Sequence, residues 1–200
     1  MNINLLDNAE AKQLQQLIIE AEHIVICAHK SPDGDALGSS LAWKTYLNQI
    51  GKTDVTVCMP DAYPDFLQWL PEANTVLRYD KNPEKVQETF NRADLVCCLD
   101  FNQYARVEAM RSTLEGCKAK RILIDHHLEP QTDNAITISQ PNMSSTSEMI
   151  FYIISQLGGY NDMTKDCAQC IYCGMMTDTG GFTYNSTRPE IYFVIGQCLL

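Results

Sequence analysis

Four residues after His29, directly behind an apolar run, two aspartates flank a single glycine in Asp33-Gly34-Asp35. Carboxylates that close repel each other and resist joint ionisation unless a cation lies between them. Asp-Gly alone is an ordinary turn signal. With an imidazole ahead of it, the pair suggests a metal site. The same residue types recur behind other apolar runs: Asp100 follows 94–99, and Asp125-His126-His127 follows 121–124. Carboxylate oxygens and imidazole nitrogens together suit Mn, Fe, Zn or Mg. The acidic groups are too many for one closed zinc site, and a two-metal cluster bridged by a carboxylate fits the count better.

These residues need elements that bring them together. Hydrophobic patterning predicts strands over 23–28, 54–58, 75–79, 94–99, 121–124 and 135–138. It predicts helices over 5–21 (capped by Asp7 or Asn8), 36–50 (ended by Gly51), 83–91, 104–114, 144–157, 163–176 and 188–200. Strands alternating with helices imply an α/β fold, a mostly parallel sheet with helices on both faces. In such folds ligands gather at the carboxyl ends of the strands. The three clusters all follow strands, so one sheet edge should collect them.

The 200 residues amount to one domain or a little more. No apolar stretch reaches the roughly 18 residues that span a bilayer, so no membrane partner is expected. Residues 1–20 show neither a basic n-region nor an apolar h-region. Most of the nine cysteines lie in apolar runs, where a thiol acts as a small hydrophobe. Reduced thiols and a cytoplasmic setting are the expectation. A formal charge of -10 argues against a broad basic face for duplex DNA. A small anionic substrate still fits if cations supply the positive field locally.

His29-Lys30-Ser31-Pro32-Asp33-Gly34-Asp35-Ala36-Leu37-Gly38-Ser39, Leu99-Asp100, Ile124-Asp125-His126-His127 and Thr177-Asp178-Thr179-Gly180 resemble, in order and spacing, the four motifs of the DHH phosphoesterase superfamily. The resemblance covers nearly the whole chain. It is greatest to the small cytoplasmic members that act as nanoRNases and 3',5'-bisphosphate nucleotide phosphatases, some labelled exopolyphosphatase-like. It implies two Mn ions, with Mg or another divalent ion as a substitute. His29 and Asp33 would hold one metal, and Asp35, His126 and Asp178 the other, with Asp100 bridging both. His127 would face the substrate phosphate, and Asp125 would orient a histidine. By residue type alone, Arg106 and Lys30 could meet phosphate or a carboxylate near the cluster. Gly34 would let the backbone turn so that its neighbouring carboxylates face different ions. The implied reaction is hydrolysis of a phosphate ester by in-line attack of hydroxide. Its substrate would be a short single-stranded oligonucleotide or a small phosphorylated nucleotide. Inorganic pyrophosphate or polyphosphate on the same core is the neighbouring reading, and a non-catalytic nucleotide-binding module is a third. A homodimer is left open.

Two departures from the family pattern stand out. Relatives carry a second, smaller domain (DHHA1) with a glycine-rich motif and a substrate-gripping histidine. Residues 1–200 read as the catalytic domain without it, so a fragment is expected. Many relatives also place a basic residue after the phenylalanine of the fourth motif, where Thr183 follows Phe182 here.

Other signals have plainer readings. Cys167, Cys170 and Cys173 have iron–sulfur spacing, but position 177 is Thr177, so the thiols should pack in a helix. Ser145-Thr146-Ser147-Glu148 matches a capping box. Asn102 and Gln103 could reach a sugar or base. Trp43 and Trp69 read as core.

Overall fold

In the computed structural model, which describes residues 3–200, six strands form one all-parallel sheet in the order β3-β2-β1-β4-β5-β6. The strands are β1 (Ile24–Cys27), β2 (Val55–Met59), β3 (Leu77–Arg78), β4 (Leu95–Leu99), β5 (Lys120–Asp125) and β6 (Ile136–Ser139). The helices are α1 (Asn8–Glu20), α2 (Gly34–Gln49), α3 (Pro83–Arg92), α4 (Arg111–Gly116), α5 (Thr146–Gln156), α6 (Lys165–Asp178) and α7 (Pro189–Cys198). No helix among the described residues is long and apolar enough to cross a membrane.

The strands read as unbroken apolar runs because both faces of the sheet are covered. Alternate residues point to opposite faces. Ile24, Ile26, Leu95, Cys97, Leu99, Ile122 and Ile124 belong to the larger core, under α1, α2, α5, α6 and α7. Val25, Cys27, Val96, Cys98 and Leu123 belong to the smaller one, under α3 and α4. Cys167, Cys170 and Cys173 are buried in α6 and pack as expected. Burial pushes the Cys58 and Cys97 thiols up to about 12, as befits packing groups.

Several boundaries differ from the sequence reading. Asp33 caps α2, so that helix starts at Gly34 rather than at 36. The helix expected over 104–114 is broken at Glu108 (φ 39°, ψ -108°), leaving a 3-10 stretch over Tyr104–Met110 followed by α4. A 3-10 turn at Ala73–Thr75 takes the start of the expected third strand and leaves only two paired residues. Trp43 is fully buried and stacks on Tyr46, but Trp69 is 57% exposed. Its segment, 61–75, runs through short 3-10 turns that carry the ring outward instead of against the sheet.

Candidate metal centre

Strand order reverses between β1 and β4, since β2 and β3 lie on one side and β5 and β6 on the other. The crevice outside the carboxyl ends of two such strands is where this architecture places ligands. β1 exits into His29 and the Asp33 cap, β4 into Asp100, and β5 ends on Asp125 with His126 and His127 behind it. Asp178 ends α6, which packs along α2.

The helix contact depends on glycine. A Cβ on Gly34 would stand 2.3 Å from Thr177 Oγ1, and one on Gly38 would stand 2.5 Å from the Cys170 carbonyl oxygen. A Cβ on Gly174 would stand 1.9 Å from Ser147 Oγ and 2.8 Å from Asp35 Oδ1. This corrects the turn expected at Gly34, which begins a regular helix and does not take a positive φ. Its missing side chain is what lets α2 and α6 meet beside the carboxylates.

Asp100 lies at the centre. It is buried and has a left-handed backbone, φ 62°. That conformation is uncommon outside glycine but tolerated by aspartate. Its Oδ2 stands 3.4 Å from His29 Nε2. Its Oδ1 stands 3.6 Å from His126 Nε2 and 4.0 Å from His127 Nδ1. On the first side, Asp33 Oδ1 stands 3.9 Å from His29 Nε2. On the second, His126 Nε2 is 3.4 Å from Asp178 Oδ2 and 3.9 Å from Asp35 Oδ2. Three sets therefore converge with one ligand atom from each residue within 4.8 Å of the others: His29, Asp33 and Asp100; Asp35, His126 and Asp178; Asp100, His126 and His127.

The capping and metal readings of Asp33 are compatible. Its Oδ1 accepts from the N–H groups of Asp35 and Ala36, both at 3.0 Å, while 56% of the side chain stays exposed. Carbonyl oxygens fix the tautomer of two histidines. His29 Nδ1 lies 2.7 Å from the Lys30 carbonyl oxygen, and His126 Nδ1 lies 3.3 Å from that of Met143. A carbonyl can only accept, so Nδ1 carries the proton and, in the neutral ring, the Nε2 lone pair faces the crevice. Asp125 is fully buried and binds His127 twice, accepting from the backbone N–H at 3.0 Å and pairing with Nδ1 at 2.7 Å.

The cluster is short of positive charge. Burial, together with Asp35, Asp33, Asp125 and Asp178, raises the Asp100 carboxyl well above the usual range. Burial and the Asp35 charge push Asp178 up to about 6. The Asp125 hydrogen bond raises His127. Two ligands about 2.1 Å from a shared ion stand about 3.0–3.4 Å apart at octahedral or tetrahedral angles. The closest gaps between the imidazole nitrogens and the carboxylate oxygens of these sets, 3.4–3.6 Å, are near that spacing. Hard oxygens with borderline nitrogens and no thiolate fit a divalent cation such as Mn, Mg, Fe or Zn.

The outer residues make contacts of their own. The Lys30 ammonium meets a carboxylate, that of Glu108, at 2.6 Å. Asn102 and Gln103 donate to the Leu128 and Glu129 carbonyl oxygens, clasping the loop behind His127. Arg106 is exposed and close enough for its charge to act on His127. Among the described residues it makes no side-chain hydrogen bond or ion pair.

Sequence reasoning misses the start of α5. The Thr146 and Ser147 N–H groups donate to Asp35 Oδ2 and Oδ1 at 2.6 and 2.8 Å. The Thr146 hydroxyl donates to Asp100 Oδ1 at 2.9 Å. Only half of the expected capping box forms. Ser145 Oγ accepts from the Glu148 N–H, but the fully buried Glu148 carboxylate takes the Ser144 N–H and hydroxyl and pairs with Arg188. The Ser-Thr-Ser run is the available signal, and by sequence alone it reads first as a cap, with a substrate contact second.

Fold and cluster together define an α/β protein with carboxylates and imidazoles gathered at the strand-order reversal. The model of the DHH family, N-terminal domain, matches residues 23–175, and the chain belongs to that family. It is 32% identical over 176 residues to the "Bifunctional oligoribonuclease and PAP phosphatase NrnA" of Thermus thermophilus, covering 88% of this chain and 49% of that protein. It is 44% identical to an exopolyphosphatase-related protein from Bacteroides fragilis of known crystal structure, with a TM-score of 0.95 over 98% of this chain and 58% of that one. A putative family II inorganic pyrophosphatase from Methanococcus jannaschii, 17% identical, shares the fold at a TM-score of 0.59 over 88% of this chain and 54% of that one. The chain thus spans about half the length of the curated relative it matches.

Proposed function

We propose that the protein is a divalent-cation-dependent phosphoesterase that hydrolyses short oligoribonucleotides, nucleotide 3',5'-bisphosphate, or both. The observation that carries this reading is Asp100: a buried carboxylate whose two oxygens face two opposed histidine–carboxylate sets. His29, Asp33 and Asp100 would hold one cation, and Asp35, His126, Asp178 and Asp100 the other. When bound, the cations, two Mn ions on this reading, would supply positive charge for phosphate oxygens and acidify water. The remaining work belongs to the chain. His127, held by Asp125 with its proton on Nδ1, presents Nε2 as a lone pair or, when protonated, as a donor to a phosphate oxygen. Arg106, exposed and within electrostatic reach of His127, would add positive charge for a bound phosphate. Asp125 positions His127 rather than touching substrate, so it is a positioning residue.

The names of the relatives support the nucleotide substrates. The Thermus protein is named for oligoribonuclease and PAP phosphatase activity, and a Bacillus subtilis relative, 29% identical over 52% of its length, bears the same name. Assignment of residues 1–200 to the catalytic half, with a second domain gripping substrate, belongs to this proposal, as does a cytoplasmic location. A diribonucleotide, adenosine 3',5'-bisphosphate and inorganic pyrophosphate are offered in turn with Mn2+. Turnover of either nucleotide, lost on Asp100→Ala, is expected. Fast pyrophosphate hydrolysis with no nucleotide turnover would overturn it in favour of the pyrophosphatase reading.

A further inference from the structure

The geometry points to Thr146 as a positioning residue that sets how Asp100 is shared between the two cation sites. This rests on the two-cation reading above. Thr146 is fully buried and makes two contacts to the site from one position: its N–H reaches Asp35, and its hydroxyl reaches Asp100 Oδ1. Ser147 completes the grip on Asp35 through its own N–H. The start of α5 is thus locked onto two carboxylates that come from different parts of the chain, the start of α2 and the exit of β4.

The hydroxyl is the part that discriminates. Asp100 could turn about its Cβ–Cγ bond, since that torsion is broad and roughly two-fold. The hydrogen bond at Oδ1 pins the carboxylate plane, leaving Oδ2 toward His29 and the second lone pair of Oδ1 toward His126. The Ser145 cap and the buried Glu148 with its Ser144 and Arg188 partners hold the first turn of α5 in place. Thr146 is therefore fixed before any ion arrives. Partners of this kind typically change metal affinity 10–100-fold when removed.

The test is calorimetric titration of the protein with Mn2+, with the thermal midpoint of the cation-free protein measured alongside. Thr146→Val keeps the shape and deletes the hydroxyl, and is expected to weaken Mn2+ binding about tenfold. Thr146→Ser restores the hydroxyl and is expected to bind within about twofold of the parent. A purely structural role would lower the thermal midpoint and leave Mn2+ affinity unchanged, and that result overturns the inference. If the valine variant does not fold, Thr146→Ala deletes the same hydroxyl from a smaller side chain and carries the same expectation. Absence of Mn2+ binding by the parent protein sinks the two-cation reading itself. That outcome is distinct from a parent that binds and a Thr146→Val variant that binds equally well.

Discussion

Removing divalent cations should leave a protein that loses stability as pH rises from about 4 to about 7. The cause is the unbalanced charge around Asp100 and Asp178. In the folded protein the Asp178 carboxyl is pushed up to about 6 from an ordinary 3.8. Between these values the folded state holds a proton that the unfolded chain has released, so unfolding becomes easier as pH rises. Stability from this group is fully present below about 4 and lost as pH passes about 6. The side chain is 26% exposed, and a displacement of this size corresponds to about 3 kcal/mol at most. Asp100 is displaced in the same direction by burial and by the same neighbours. Cation binding removes the repulsion, and protons compete with it. Saturating Mn2+ at about a thousandfold over its Kd stabilises by about 4 kcal/mol, about 10 °C for a chain this size. The thermal shift should be large at pH 7.5 and much smaller at pH 5. Differential scanning fluorimetry with EDTA or Mn2+ at the two pH values measures it. Equal shifts at both, or none at either, would refute the reasoning. Asp178→Asn, which cannot titrate, should flatten the pH dependence of the chelated protein.

Other residues give independent tests. Asp125→Asn removes the anion that raises His127, so the midpoint of the His127 ring in an NMR titration should fall toward the ordinary histidine value, with nucleotide KM raised more than Mn2+ affinity is lowered. An unmoved midpoint would count against the Asp125–His127 pairing as the cause. Gly174→Ala drives a Cβ into Ser147 Oγ and toward Asp35 Oδ1, and should cost about 1–3 kcal/mol in urea unfolding while also weakening Mn2+ binding. Arg188→Leu leaves the buried Glu148 carboxylate without its cation. Since Arg188 is 31% exposed, the cost in the same assay should fall near the low end of the range for a broken buried pair, about 3 kcal/mol, and Glu148→Gln in the Arg188→Leu background should recover part of it.

What could be read from the chain and what could not divide along a physical line. Strands buried on both faces advertise themselves as apolar runs, and a polar side chain at a strand exit lies within a residue or two of its strand. His29, Asp100, Asp125 and His126 were therefore legible as candidates, and a mostly parallel sheet followed from the alternation of elements. Asp33 and Asp35 were visible too, but not why both can sit there. That depends on α6 touching α2 through Gly34, Gly38 and Gly174, a contact between residues far apart in sequence whose only trace is three absent side chains. Asp35 could be read as a candidate ligand but not as a hydrogen-bond acceptor, because its two backbone donors come from 111 and 112 residues away and carry no residue type at all. Hence the local cap signal at Ser145 was legible while its consequence was not. Capping orients the first turn of α5, and that turn aims its spare N–H groups and one hydroxyl at the carboxylates of other elements. The acids specify that a cation could bind, whereas the neutral donors behind them specify where each oxygen points. An account of this site built from its charged residues alone omits the groups that hold those charges in place.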